Sequence, residues 1–403
     1  MATQVSTLGF RDVLQDTAVR RLWIAQVVSI FGDFLAVFAI FAVVTFQLHG
    51  NPMQVALILV AYLTPLALVS PVAGVYVDQW SVKATMIASD LIRAALVLVL
   101  LYARDLNLIY ATLFAMSTVS AFFVPAQSVA VRTLAPPGGL LAVNALMTQA
   151  MQGAQIISPS VAALLVDLAG ANTCFVLDTL SFLVSAGLVA TLAIHREAPG
   201  AHGAASGVWT SLNQGLRFIF TRRAISFVLI SMACGMFAVR CFGALLSVWL
   251  RDVLFSGARM FGLLNTLIGI GMIAGSQMVR RLAGSAAPER TVSLALAGMG
   301  IAVAIIAVFA NVASTAAGML GLAYCAAFNM ITAQTVMQHE TPPALLGRVS
   351  SAMMSLMAVS QVLAMFFAGP VAERAGLRAL YYGSAVMLVA IAAAGLAQLR
   401  RRT

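Results

Sequence analysis

Residues 22–46 read LWIAQVVSIFGDFLAVFAIFAVVTF, a run in which Asp33 is the one charge. About 20 residues of helix, each rising about 1.5 Å, cross the roughly 30 Å of hydrocarbon in a bilayer. A helix apolar on every side has no face to turn to water, so this segment belongs either in lipid or in the middle of a large protein. The rest of the chain decides for lipid. Of 403 residues, 62% are apolar and 9% charged, and the mean hydropathy is +0.99. A soluble domain carries about 25% charged residues, so soluble enzymes and nucleic-acid binders are excluded at the outset.

Windows of similar length and hydropathy recur near 53–77, 84–103, 108–131, 142–167, 172–193, 224–250, 260–279, 291–310, 313–337, 349–370 and 379–399. The expectation is an all-α membrane protein of twelve transmembrane helices. The one long interior connection runs from His195 to Arg223 and divides the spans six and six. The expected domains are 1–194, a cytoplasmic linker 195–223, and 224–403. The linker opens on the Ala, Gly and Ser-rich stretch Ala198 to Gly207. It continues through Trp209, Leu212, Leu216, Phe218 and Ile219 beside Arg217, Arg222 and Arg223. That pattern suits an amphipathic helix on the membrane surface, with a solvated linker as the alternative.

Charge sets the orientation. The 23 basic residues are all Arg except Lys83, and they outnumber 13 acids to give +10. With the amino terminus inside, sixteen basic residues fall in inside segments and five (Arg104, Arg251, Arg259, Arg374 and Arg378) in outside loops. Arg and Lys in short loops stay on the cytoplasmic side, so the basic excess encodes topology with both termini cytoplasmic, and nucleic acid is not called for. Arg11, Asp12, Asp16 and Arg20 leave no short apolar core ahead of the first span, and no cleavable signal is expected there. Cys174, Cys234, Cys241 and Cys325 have neither metal spacing nor a paired pattern and read as buried, reduced thiols.

Sliding the second half back by 206 residues reveals a repeat. Pro136-Pro137 falls on Pro342-Pro343, Met147 on Met353, Gln155 on Gln361, Asp167 on Glu373, Ala169-Gly170 on Ala375-Gly376, and Phe31 on Phe237. Each half is then a six-helix copy in the same orientation, related by an axis along the membrane normal.

Two stretches carry a family likeness. After span two, Gly74, Asp78 and Lys83 keep the Gly, three residues, Asp, basic-cluster signature of the major facilitator superfamily, with Gln79, Ser81 and Val82 in place of the usual Arg, Gly and Arg. In span five, residues 154–163 resemble that superfamily's antiporter motif, keeping Pro159 and replacing each Gly by a small residue. The resemblance implies two pseudo-symmetric six-helix bundles. It also implies a cytoplasmic latch in which Asp78 faces the amino end of span eleven near Gly347, Arg348 and Val349, and a proline-bent packing helix that gates. The plain alternatives are a helix terminus at Asp78 and an ordinary membrane proline at Pro159. Further stretches, among them Arg21-Leu22-Trp23, Phe31-Gly32-Asp33, residues 89–93, residues 177–182 and residues 340–349, are similar to the drug:proton antiporter branch that includes macrolide efflux pumps and the enterobactin exporter. Span four lacks the in-membrane Arg used by other drug-antiporter branches.

Charges inside spans are costly, about 2.5 to 3.5 kcal/mol each on insertion scales, and mark function or pairing. Asp90 and Arg93, three apart on one helical face, read as a mutually neutralising pair. Asp178 reads as a packing residue of an outer helix. Asp33 in span one and Arg240 in span seven remain as the expected proton-coupling pair, in which Asp33 binds the proton and Arg240 tunes it or contacts an anionic substrate. A structural salt bridge is the alternative. The expected cavity wall comprises Phe31, Phe34, Tyr62, Gln152, Gln155, Phe237, Asn265, Tyr324, Asn329 and Gln361, a mixture suited to an amphiphilic ligand.

The only lysine lies outside any phosphate-cradling Gly-rich loop, all four histidines are in loops, and no nucleophile sits beside a base. A gradient-driven transporter without cofactor or metal is therefore expected, and not an enzyme. By resemblance it works as a monomer in a bacterial inner membrane and exports a small amphiphilic drug, macrolide or siderophore against protons. A lysophospholipid flippase is the rival, since Phe31-Gly32-Asp33 also resembles the start of that family. A transport-inert membrane receptor is the rival of another class.

Overall fold

In hydrocarbon the backbone finds no water to bond, and the helix answers that demand within each segment. The computed structural model describes residues 8–77, 79–103, 105–194, 217–282, 288–342 and 345–400, and every regular element among them is helical. The short α1 (Phe10–Gln15) precedes α2 (Thr17–Ala42), which runs on into a π-helical turn, Val43–Gln47. Then come α3 (Pro52–Val77), α4 (Val82–Leu100), α5 (Leu106–Leu134), α6 (Leu140–Ala169) and α7 (Ala171–Ala190). The second half holds α8 (Arg223–Asp252), α9 (Ala258–Leu282), α10 (Pro288–Phe309), α11 (Val312–Glu340), α12 (Leu346–Ala375) and α13 (Leu377–Arg400).

The twelve expected spans are α2 to α13. Among the described residues eleven of them are long and apolar enough to cross a bilayer. The twelfth, α4, has the length and carries Lys83, Asp90 and Arg93. Asp78 and residues 195–216 of the expected amphipathic linker lie outside the described residues, while 217–221 are helical. Gly74, Gly347 and Arg348 are described only as backbone within α3 and α12.

Local chemistry starts the helices. The Asp16 carboxylate accepts from the Ala18 and Val19 amides at 2.7 and 3.1 Å and caps α2. Asn311 and Ser314 bond reciprocally to open α11. The unforeseen α1 exists because Val13 has somewhere to go: it is buried with Leu22, Ala25, Val131, Val143 and Leu146 at one end of the first helical set.

The repeat is visible in the element bounds. Thr17 and Arg223, Pro52 and Ala258, Val82 and Pro288, Leu106 and Val312, Leu140 and Leu346, and Ala171 and Leu377 begin paired helices, each 206 residues apart. Packing repeats as well. In the first half α2 packs on α6 and α7, and α4 on α5 and α7. In the second α8 packs on α12 and α13, and α10 on α11 and α13. Even the backbone specials coincide, for His49 and Phe255 both have positive φ, and so do Gly170 and Gly376.

By contact the chain forms two compact units. One is Met1–His49, Ile58–Ala201 and Ala258–Leu263; the other is Gly50–Leu57, His202–Gly257 and Leu264–Thr403. The first unit contains a charged interior, described below. The second has an aromatic one: Trp249, Phe242 and Tyr381 are fully buried with ring centroids 5.0 and 5.1 Å apart about Tyr381, and the Trp249 indole donates to Thr315 Oγ1 at 3.3 Å.

Gly170 (φ 81, ψ 163) and Gly376 (φ 87, ψ 157) turn the chain sharply after α6 and α12, in a region closed to residues with a Cβ. Gly170→Ala and Gly376→Ala should each cost about 1 to 3 kcal/mol, read as a lowered melting temperature of the purified protein, although nothing crowds either position.

Candidate functional site

Four charged side chains meet inside the first unit. Arg93 on α4 places Nη2 at 2.5 Å from Asp90 Oδ1, one helical turn away, and Nη1 at 3.4 Å from Asp33 Oδ2 on α2. Its guanidinium carbon lies over two rings, 4.5 Å from the Phe123 centroid of α5 and 4.3 Å from the Phe182 centroid of α7. A desolvated cation over an aromatic face gains about 2 kcal/mol.

Asp178 enters from α7. It is fully buried, and its Oδ1 accepts from the Ser181 hydroxyl at 3.2 Å. The approach of α7 depends on Gly32: a Cβ there would collide with Ser181 Oγ and lie 2.6 Å from Asp178 Oδ1. Asp178 and Asp33 are within electrostatic reach of one another and of Arg93, and so is the Tyr62 phenol of α3. Three carboxylates thus share one arginine. Only Asp33 opens outward, with 22% of its side chain exposed against 0% for Asp90 and 4% for Arg93.

The structure therefore brings Asp33, Asp90 and Arg93 into one group, with Tyr62 nearby. The arginine beside Asp33 is Arg93. Arg240, on α8 in the second unit, makes no ion pair among the described residues, and its buried Nε has no hydrogen-bond partner. Asp178, which the sequence suggests as a packing residue, faces the same interior.

The remaining candidates are scattered. Phe31 and Phe34 are half-buried on α2, and the Phe31 carbonyl accepts from Ser158 Oγ at 3.4 Å. The Tyr62 carbonyl accepts from the Ser117 hydroxyl. Gln152 and Gln155 are exposed on α6, while Pro159 is buried beside Ser160, whose hydroxyl donates to the Gly262 carbonyl at 3.3 Å within the first unit. In the second unit Asn329 is buried and donates to the Ser231 carbonyl at 3.2 Å, and Gln361 bonds its own helix at Met357. Tyr324 stacks obliquely on Phe328. Phe237 and Asn265 are half-buried, as is Lys83 in the first turn of α4. Among the described residues no group of His, Cys, Asp or Glu is arranged to hold a metal ion.

A duplicated, twelve-helix membrane body with a charged group inside one copy defines the class: a polytopic membrane protein whose interior is built to handle charge. Residues 22–365 match the Major Facilitator Superfamily, and the chain belongs to it, which makes it a transporter and not an enzyme. It is 25% identical over 385 residues to the uncharacterized MFS-type transporter YfiS of Bacillus subtilis (strain 168), covering 91% of this chain and 89% of that one. To macrolide efflux protein A of Streptococcus pyogenes it is 24% identical over 385 residues, covering 92% and 93%. A solved bacterial homolog of the human lysosomal transporter Spinster, inward-facing and unoccupied, superposes with a TM-score of 0.74 at 13% identity over 94% and 96% of the chains, a likeness of fold.

Gly32→Ala should destabilise the protein by about 1 to 3 kcal/mol through overpacking against α7. Gly187→Ala, on α7 with open space around it, should leave stability unchanged or raise it by roughly 0.5 to 1 kcal/mol. Thermal unfolding of the two purified variants side by side checks the contrast.

Proposed function

We propose that this transporter exports small amphiphilic compounds in exchange for protons by alternating access, with residues 1–194 and 224–403 as the two moving bundles. It acts as a monomer in a bacterial inner membrane with both termini cytoplasmic, as the distribution of Arg supports. The likeness to macrolide efflux protein A supports the cargo class, and the lack of an ATP-binding loop in the sequence leaves ion gradients as the energy source.

The observation that carries the reading is the exposure of Asp33 within an otherwise enclosed group of three carboxylates and one arginine. A carboxylate in hydrocarbon is expensive unless it is paired or does something. Asp33 is near enough to Arg93 to lose a proton, and its side chain keeps an accessible edge where Asp90 and Asp178 have none. Asp33 is the carrier of the coupling proton. Arg240, with no ion pair among the described residues, serves cargo that bears an acidic group.

In proteoliposomes given radiolabelled erythromycin on the outside, an imposed pH gradient should drive its accumulation by the native protein. Asp33→Asn should lose at least tenfold of that accumulation while still exchanging label for unlabelled erythromycin. Unchanged pH dependence in the variant would remove Asp33 from the coupling scheme. Movement of a labelled lysophospholipid in place of the macrolide would replace the cargo class.

A further inference from the structure

The two bonds made by Arg93 are unequal. Its Nη2 is at 2.5 Å from Asp90, while its Nη1 is at 3.4 Å from Asp33. The guanidinium carbon lies over two rings, 4.5 Å from the Phe123 centroid and 4.3 Å from the Phe182 centroid, and a swing toward Asp33 would give up those contacts. We propose that Arg93 is a positioning residue for the proton on Asp33, and that Asp90 sets how much of the arginine's charge Asp33 feels. This rests on the reading of Asp33 as the proton carrier and gives α4 a part in coupling beyond internal neutralisation.

The charged and titratable groups that face Asp33 come from three helices: Asp90 and Arg93 of α4, Asp178 of α7 and Tyr62 of α3. The argument varies only the first two. With Asp90 ionised, the field of Arg93 at Asp33 is partly cancelled. Asp90→Asn removes that like charge, and with it the cancellation, which favours the ionised form of Asp33. Removing Arg93 together with Asp90 deletes the opposite charge, the nearer of the two to Asp33, and favours the protonated form. Asp178 and Tyr62 are present in all the variants.

The test needs no known cargo. Infrared titration of the purified protein in detergent follows the carboxyl stretch that disappears in Asp33→Asn. In Asp90→Asn the midpoint of that band should move to lower pH by about one unit, a tenfold change in proton affinity. In the double variant Asp90→Asn/Arg93→Gln, which leaves no buried charge unpaired on α4, it should move to higher pH by about one to three units. An Asp90→Asn midpoint that stays put or moves to higher pH overturns the proposal, and that single variant decides even if the double one does not fold. If Asp33→Asn removes no titrating band, the failure belongs to the assignment of Asp33 as proton carrier.

Discussion

An arginine without water is the constraint around which the first helical set is arranged. Removing a guanidinium from solvent costs several kcal/mol unless its charge and its donors are answered. The charge and the two terminal nitrogens are answered from four helices, by carboxylates from α2 and α4 and rings from α5 and α7, while the buried Nε has no hydrogen-bond partner among the described residues. Each partner fixes the separation of a helix pair, and Gly32 is the concession α2 makes so that α7 can come close enough. Asp178 joins this group with the Ser181 hydroxyl as its hydrogen-bond donor and makes no ion pair among the described residues, so three carboxyl groups surround one arginine.

The duplication preserved the frame and not the contents. Helix starts, packing pairs and positive-φ residues repeat at 206 residues. In that register Asp33, Asp90, Arg93 and Asp178 correspond to Val239, Leu296, Met299 and Ser384. Around the last group the interior is apolar: Leu296 and Met299 lie near Gly235, where Asn329 reaches the α8 backbone. Packing geometry depends on side-chain volume along a helix face, which apolar residues supply as well as charged ones. Charge is therefore free to differ between copies that share one architecture.

Much of this was legible in the sequence, for an identifiable reason. Span positions and the repeat depend on hydropathy averaged over about 20 residues and on helix punctuation, both local signals. Pairing across α2, α4 and α7 is not local. Asp90 and Arg93 are neighbours on one helix and could be matched by spacing alone. That Arg93 also reaches Asp33, 60 positions away, depends on how three helices are rotated about their axes, which nearly uniform apolarity leaves unmarked. The same blindness affects Asp178. The π-helical turn after α2 likewise has no signature in a run of apolar residues.

The charges of α4 also bear on how the protein is made. Within its 19 residues it carries Lys83, Asp90 and Arg93, and a charge left facing lipid costs about 2.5 to 3.5 kcal/mol on insertion scales. The ring that completes its cage, Phe182, lies on the last helix of the same half. Because a chain is made from its amino end, Arg93 meets Asp33 and Phe123 in segments synthesised earlier or soon after, and Phe182 only once α7 has been made.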